Sequence, residues 1–241
     1  MAGYITHVDD VVATTEPGDI VTSRTTIDDS VGAEHLAQRV LSFGPGTSPS
    51  RQAEERDEVA YVVSGSGSLT LNGDKHSLVP DTGIFVRAGE AYEIENPGPD
   101  DIVVVSVTAP EPSDNAETTQ ERKVTVSVAD QPVIPAGKDR EFKFVVNPEA
   151  GCQDVTQFVG WIPPGRAPTH YHLYDEVIYV LDGDGVLHLE GQPDTPITTG
   201  TCIHLPPPVE HCLENTGDRP LRVLGVFHPA GSAAEAYEEA E

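Results

Sequence analysis

At 241 residues and 37% hydrophobic content, the chain carries enough apolar material for one large core or two modest ones. No run approaches the roughly 18 apolar residues of a membrane-spanning helix, and 14 Lys plus Arg against 40 Asp plus Glu give a net charge of −26, a surface that repels nucleic-acid phosphates and anionic lipid. The first residues, MAGYITHVDD, have neither a basic start nor an apolar stretch, so no secretory signal is expected and the expected compartment is cytoplasmic.

The first 30 residues read as a leader able to add a strand to a following domain. Beyond it, short runs such as EVAYVV, SLTLNG, DIVVVSVTA, VIYVLDG, VLHLEG and LRVLGVFH lie between turn residues drawn from 22 Gly and 21 Pro. Short strand-forming runs between turn signals mark a β-sandwich or barrel, so the expected fold is all-β with few short helices. The segment DEVAYVVSGSGSLTLNGD from Asp57 lines up with DEVIYVLDGDGVLHLEGQ from Asp175, and RAGEAYEIENPG from Arg87 with PPPVEHCLENTG from Pro206. Both matches fall at one spacing of about 120 residues, the mark of an internal repeat. A polar, aperiodic stretch, APEPSDNAETTQERK from Ala109 to Lys123, lies between the copies and has the composition of a linker. The expected organisation is therefore a domain over 31–108, a linker over 109–123, a second domain over 124–230 and an acidic tail over 231–241, expected as a short helix or frayed end. Cys152, Cys202 and Cys212 are odd in number and lack C-x-x-C pairing. They are expected as buried or partly buried thiols.

In the second copy, THYHLYDEVIYVLDG runs from Thr169 to Gly183. On a helix, His170 and His172 would diverge by roughly 200°; on a strand, His170, His172 and Glu176 share one face. An unbroken strand would separate His170 from Glu176 by about 20 Å, so a turn is expected at Leu173, Tyr174 and Asp175. Further on, His211 follows the proline turn Pro206–Pro208. Neutral imidazoles and a carboxylate suit a divalent transition metal: Mn, Fe, Ni, Cu or Zn. His188 and His204 are expected in packing or surface positions, Trp161 in the core, and Cys212, of opposite parity to His211, pointing away from the cavity. Tyr174 is left open between an exposed and a catalytic place.

The order G-x4-H-x-H-x3-E-x6-G (Gly165, His170, His172, Glu176, Gly183), followed by G-x5-P-x4-H-x3-N (Gly200, Pro206, His211, Asn215), resembles the paired motifs of the cupin superfamily. Pro208 stands where the family's second motif has a glycine. The resemblance implies two tandem cupin barrels of jelly-roll type, a bicupin, with the metal held in the C-terminal barrel by His170, His172, Glu176 and His211. The first copy keeps Glu58 and Gly65 but offers no imidazole: the histidine positions fall on Gln52 and Glu54, or on Arg51 and Ala53, depending on the direction of counting. Tyr92 replaces His211, and its phenol, titrating near 10, is a poor ligand. One metal site is expected, not two, although the first cavity could bind a small molecule through Arg51, Gln52 and Tyr92.

The activity that the resemblance implies first is a dioxygenase-type, quercetinase-like oxidation of a small organic metabolite, with Glu176 as ligand and catalytic base. Lewis-acid isomerisation, cyclisation or ureidoglycine aminohydrolase-like hydrolysis is the alternative, and a non-enzymatic ligand-binding cupin is a third. The expected partner is a small-molecule substrate, with no nucleic acid and no membrane. A homodimer is left open, because a bicupin can satisfy the usual cupin dimer contact within one chain.

Overall fold

A computed structural model of the chain describes residues 3–53, 55–109, 121–137 and 140–234. Glu54, most of the expected linker and residues 235–241 of the acidic tail lie outside the described residues. The architecture is all-β, as the sequence implies, with only single-turn 3₁₀ segments such as Val8–Asp10 and Val128–Asp130 between strands.

Side-chain patterning explains which strand goes where. Ala91–Asn96 alternates exposed and buried residues without exception, as a strand does with one face in a barrel and the other in water. Thr82–Val86 and Thr201–Leu205 are buried at every position, because their outer faces are covered by the other half of the molecule. Each half pairs one large sheet with one small sheet. In the C-terminal half the large sheet runs, in spatial order, Tyr4–His7, Thr201–Leu205, Asp175–Asp182, Leu221–His228, Thr156–Ile162, Arg140–Val146 and Ile134–Ala136. The small sheet there runs Gly165–Arg166, His211–Asn215, Asp184–Leu189 and Thr195–Thr198. The N-terminal half repeats the plan, with Thr125–Ser127 beside Thr82–Val86 at one border of its large sheet and Val21–Ile27 at the other.

The border strands are exchanged. Tyr4–His7, from the leader, pairs antiparallel with Thr201–Leu205, Tyr4 opposite His204 and His7 opposite Thr201. Thr125–Ser127, from beyond the linker, pairs with Thr82–Val86 in the first half. The leader thus contributes to both halves, since Val21–Ile27 joins the N-terminal sheet through Ala37–Phe43. Matching hydrogen bonds close the two crossings: Val8 N–H donates to Gly200 O and Val128 N–H to Asp81 O, both at 3.0 Å.

Among the described residues, three of the four apolar clusters follow directly from this arrangement. One fills each barrel, around Phe43, Leu69 and Ile94 in the first and Val180, Leu187 and Leu221 in the second. The third lies between the large sheets and joins Val59, Tyr61 and Phe85 to Val145, Val159 and Val177. Gly83 marks how close the two sheets come: a methyl group built there would stand 2.1 Å from Val145 Cγ1. The cysteines are all free and buried, and burial pushes the Cys152 and Cys202 thiols up to about 12, which keeps them unreactive at neutral pH.

Candidate metal centre

His170 and His172 lie on an extended segment rather than a regular strand. Pro168, lacking an N–H, cannot continue a ladder, and a single bridge does the positioning instead: His170 N–H donates to His211 O at 3.0 Å, and His211 N–H to His170 O at 2.8 Å. The chain bends at Leu173 and Tyr174, and a strand begins at Asp175. Glu176 therefore sits one residue into that strand, opposite Leu205 and Phe227 of the flanking strands. The small sheet brings His211; the bend brings Glu176 under it.

One donor nitrogen from each of His170, His172 and His211 lies within 4.8 Å of the other two. Glu176 stands beside this triad, its Oε2 3.3 Å from His172 Nε2, and is not among the three groups that satisfy that mutual distance. His170 Nδ1 lies 3.0 Å from Pro168 O, and His211 Nδ1 2.9 Å from Val209 O. A carbonyl oxygen only accepts, so both Nδ1 atoms carry the proton and both Nε2 atoms present a lone pair, the orientation in which second-shell bonds fix metal-ligating imidazoles. Burial, reinforced by the positive field of the neighbouring His211, pushes His170 down to about 3. Burial also lowers His211, partly offset by Glu176. Both rings are neutral at pH 7. Among the described residues, His172 Nδ1 and Glu176 Oε2 are buried with no hydrogen-bond partner. Such orphaned atoms cost free energy in an apolar setting, and a cation ligated by Glu176 satisfies its oxygen. The donor set fits a divalent transition metal.

The walls are apolar. Phe142, Phe158, Phe227, Ile178, Leu213 and Val223 line a cavity of about 70 Å³ that includes all four expected ligands, with Arg140 and Trp161 also on its lining. The Tyr174 ring stacks on His172, centroids 5.1 Å apart and planes 17° apart, while its hydroxyl donates to Ser232 O at 2.9 Å. It backs a ligand rather than standing exposed. Sequence reasoning missed Arg140 and Phe227, which lie outside both motifs. Trp161 is half-buried under the Arg222 guanidinium, 5.6 Å from its ring centroid, and not a core residue.

His188 and His204 are held elsewhere. His188 bonds Asp194 and Glu214, each at 2.8 Å, and His204 pairs with Asp175 at 2.7 Å in a fully buried contact. Asn215 donates to Ile162 O and Arg219 O and so stabilises a turn. Cys212 points away from the triad and takes a contact from Arg166 Nε at 3.4 Å. In the first barrel Glu58 is buried and accepts from Ser106 Oγ at 2.5 Å and from the Tyr92 hydroxyl at 3.1 Å. Burial and the Glu58 charge push the Tyr92 phenol far above its ordinary value. Among the described residues, no second cluster of three metal donors occurs, and Glu54, one of the alternative first-copy positions, lies outside them.

The tandem arrangement and its histidine cluster define a class. The family model of the Cupin domain matches residues 39–108 and again residues 158–227, together more than half of the chain. The chain belongs to that family, and with two copies it is a bicupin. It is 35% identical over 98 residues to auxin-binding protein 1 of Arabidopsis thaliana, a match covering 37% of this chain and 50% of that protein, so the chain spans about half the length of this relative. Among solved structures, oxalate decarboxylase from Bacillus subtilis superposes with a TM-score of 0.75 at 15% identity, covering 95% of this chain and 77% of that one. Protein Ylba from E. coli gives 0.79 at 13% identity, covering 94% and 90%. These likenesses show a shared fold. Among the described residues no helix is long and apolar enough to cross a membrane.

Proposed function

We propose that this bicupin is a metal-dependent enzyme of dioxygenase type acting on a small enol or hydroxy acid, with one divalent transition metal held by His170, His172, His211 and Glu176. The observation that supports it most is the convergence of three imidazole nitrogens within 4.8 Å of one another, beside a buried carboxylate and inside an apolar cavity. When bound, such a metal supplies Lewis acidity and, if redox-active, a common point for substrate and O2. The chain's own groups supply the rest. Glu176, with an unsatisfied oxygen, is placed to take the substrate's proton. Arg140, on the cavity lining and close enough to lower the His170 imidazole, suits an anionic carboxylate or enolate. The three phenylalanines keep bulk water from the charge that develops.

Cavity size restricts the substrate. At about 10–15 Å³ for each water-sized occupant, a cavity of about 70 Å³ takes about five to seven, so a compact acid fits and a multi-ring flavonol does not in this conformation. On this reading the chain shares the reaction type of a quercetinase but not the size of its substrate.

The test is elemental analysis of the purified protein followed by O2-electrode assays with a panel of small enols and hydroxy acids. Iron, copper, nickel or manganese together with substrate-dependent O2 uptake supports the proposal. Stoichiometric zinc with anaerobic turnover refutes it and favours the Lewis-acid isomerase, cyclase or hydrolase. Arg140 also suits a second reading, decarboxylation of a small dicarboxylate, the activity named for the oxalate decarboxylase neighbour; CO2 release without net O2 uptake distinguishes it.

A further inference from the structure

The N-terminal barrel holds a larger and more polar cavity than the metal-type site, about 570 Å³, lined by Arg39, Arg51 and Arg56 together with the carboxylates of Glu16 and Asp19 and, at its buried end, by Glu58, Tyr92 and Ser106. Three of the chain's 14 basic residues thus face one cavity in a protein of net charge −26. Asp19 orients the Arg51 guanidinium, Nη1 to Oδ2 at 3.1 Å, and Asp19 is itself fixed by the Val21 N–H at 2.9 Å. Among the described residues, neither Arg39 nor Arg56 has an acidic partner within ion-pair distance, although 40 carboxylates are available in the sequence.

The two barrels answer the same position differently. In the second, Glu176 keeps an unsatisfied oxygen beside three imidazoles. In the first, Glu58 is satisfied by two hydroxyls and has the Arg51 guanidinium close by, acting on the same Tyr92 phenol. The positive charge that a cation brings to one barrel is built covalently into the other. Guanidinium groups grip carboxylates in planar, two-pronged pairs, and Glu58, an acceptor with lone pairs left over, suits a ligand hydroxyl.

We infer that the N-terminal barrel is a metal-independent binding site for a small hydroxylated polycarboxylate, gripped by Arg39, Arg51 and Arg56 and hydrogen-bonded through its hydroxyl to Glu58. The overall charge of the chain disfavours diffuse anion binding, so saturable binding reports a local site.

The experiment is calorimetric titration of the full-length protein with L-malate, succinate and inorganic phosphate, in the wild type, in the Arg39→Gln/Arg56→Gln double variant and in His172→Ala. The expected result is one equivalent of malate bound more tightly than succinate or phosphate. It is weakened at least about 10-fold in the arginine variant and unchanged in His172→Ala, which separates it from the metal centre. Arg39 and Arg56 are exposed, so the variant should fold, which its melting temperature checks. Absence of saturable binding, equal affinity for malate and either comparison ligand, or binding abolished by His172→Ala but indifferent to the arginines, overturns the inference. If the arginine site holds while the metal analysis fails, only the reading of the second barrel falls.

Discussion

Tyr174 offers a quantitative test of how the metal centre is held. Its ring lies flat on His172 and packs on Phe227 with centroids 4.6 Å apart, so replacing it by leucine keeps apolar bulk but removes the stack. An aromatic pair contributes about 0.5–1.5 kcal/mol beyond its buried area, which at about 1.4 kcal/mol per decade is about a 2- to 12-fold loss of metal affinity. Tyr174→Phe keeps the ring and loses the hydroxyl with its bond to Ser232 O, about 1 kcal/mol of folding stability and about 2–4 °C of melting temperature for a chain of this length, with metal affinity unchanged. Competition titration against a chromogenic chelator measures the first quantity and calorimetry the second. Undiminished affinity in the leucine variant, or an equal loss in both variants, would refute the view that stacking orients His172. Gly231 provides an independent check, because a methyl built there meets the Tyr174 ring at 2.7 Å, and Gly231→Ala is expected to lower metal affinity in the same direction.

Other outcomes follow from the same geometry. His172→Ala is expected to strip the metal while the barrel stays folded, and Tyr92→Ala to leave metal content as it was; elemental analysis of both decides whether one barrel or two hold a cation. In the metal-free protein, His170 titrates at about 3 when folded and near 6.5 when unfolded. The unfolded chain therefore takes up a proton that the folded site refuses, so stability is greatest above pH 6.5 and falls as pH drops towards 3. Melting temperatures of chelator-treated protein at pH 7 and pH 5 should show that fall, and His170→Gln should reduce it; an identical fall in the variant contradicts the assignment. Gly83→Ala forces a methyl against Val145 across the two halves and should destabilise by about 1–3 kcal/mol, read by denaturant titration.

Much of this molecule was legible in the amino-acid sequence because its signals are periodic. The repeat at a fixed spacing gives two similar barrels, and even spacing of His170, His172 and Glu176 puts them on one side of an extended chain. The triad did come together, though through one bridge at His170 and His211 rather than a full strand, a consequence of Pro168 that pattern alone does not reveal. Arg140 and Phe227 were hidden because they reach the site from other strands of the sheet, and only the register of Asp175–Asp182 against Leu221–His228 brings Phe227 opposite Glu176; the place of Tyr174, in the bend beside His172, depends on how that bend folds its ring back. The leader's destination was hidden for the same reason. YITH has the composition of a border strand, but not the address of the sheet it joins.

The crossing of Tyr4–His7 and Thr125–Ser127 makes the two barrels mutually dependent. Severing the chain within residues 110–120 leaves each fragment carrying a strand that belongs to its sibling, and each large sheet with bare N–H and C=O groups along one border. Such a border is a template for any chain that can lie along it. Expressed alone, either fragment is therefore expected to associate with its own kind, and mixing the two should restore a soluble one-to-one pair, so that what nature joined covalently also behaves as a self-recognising couple.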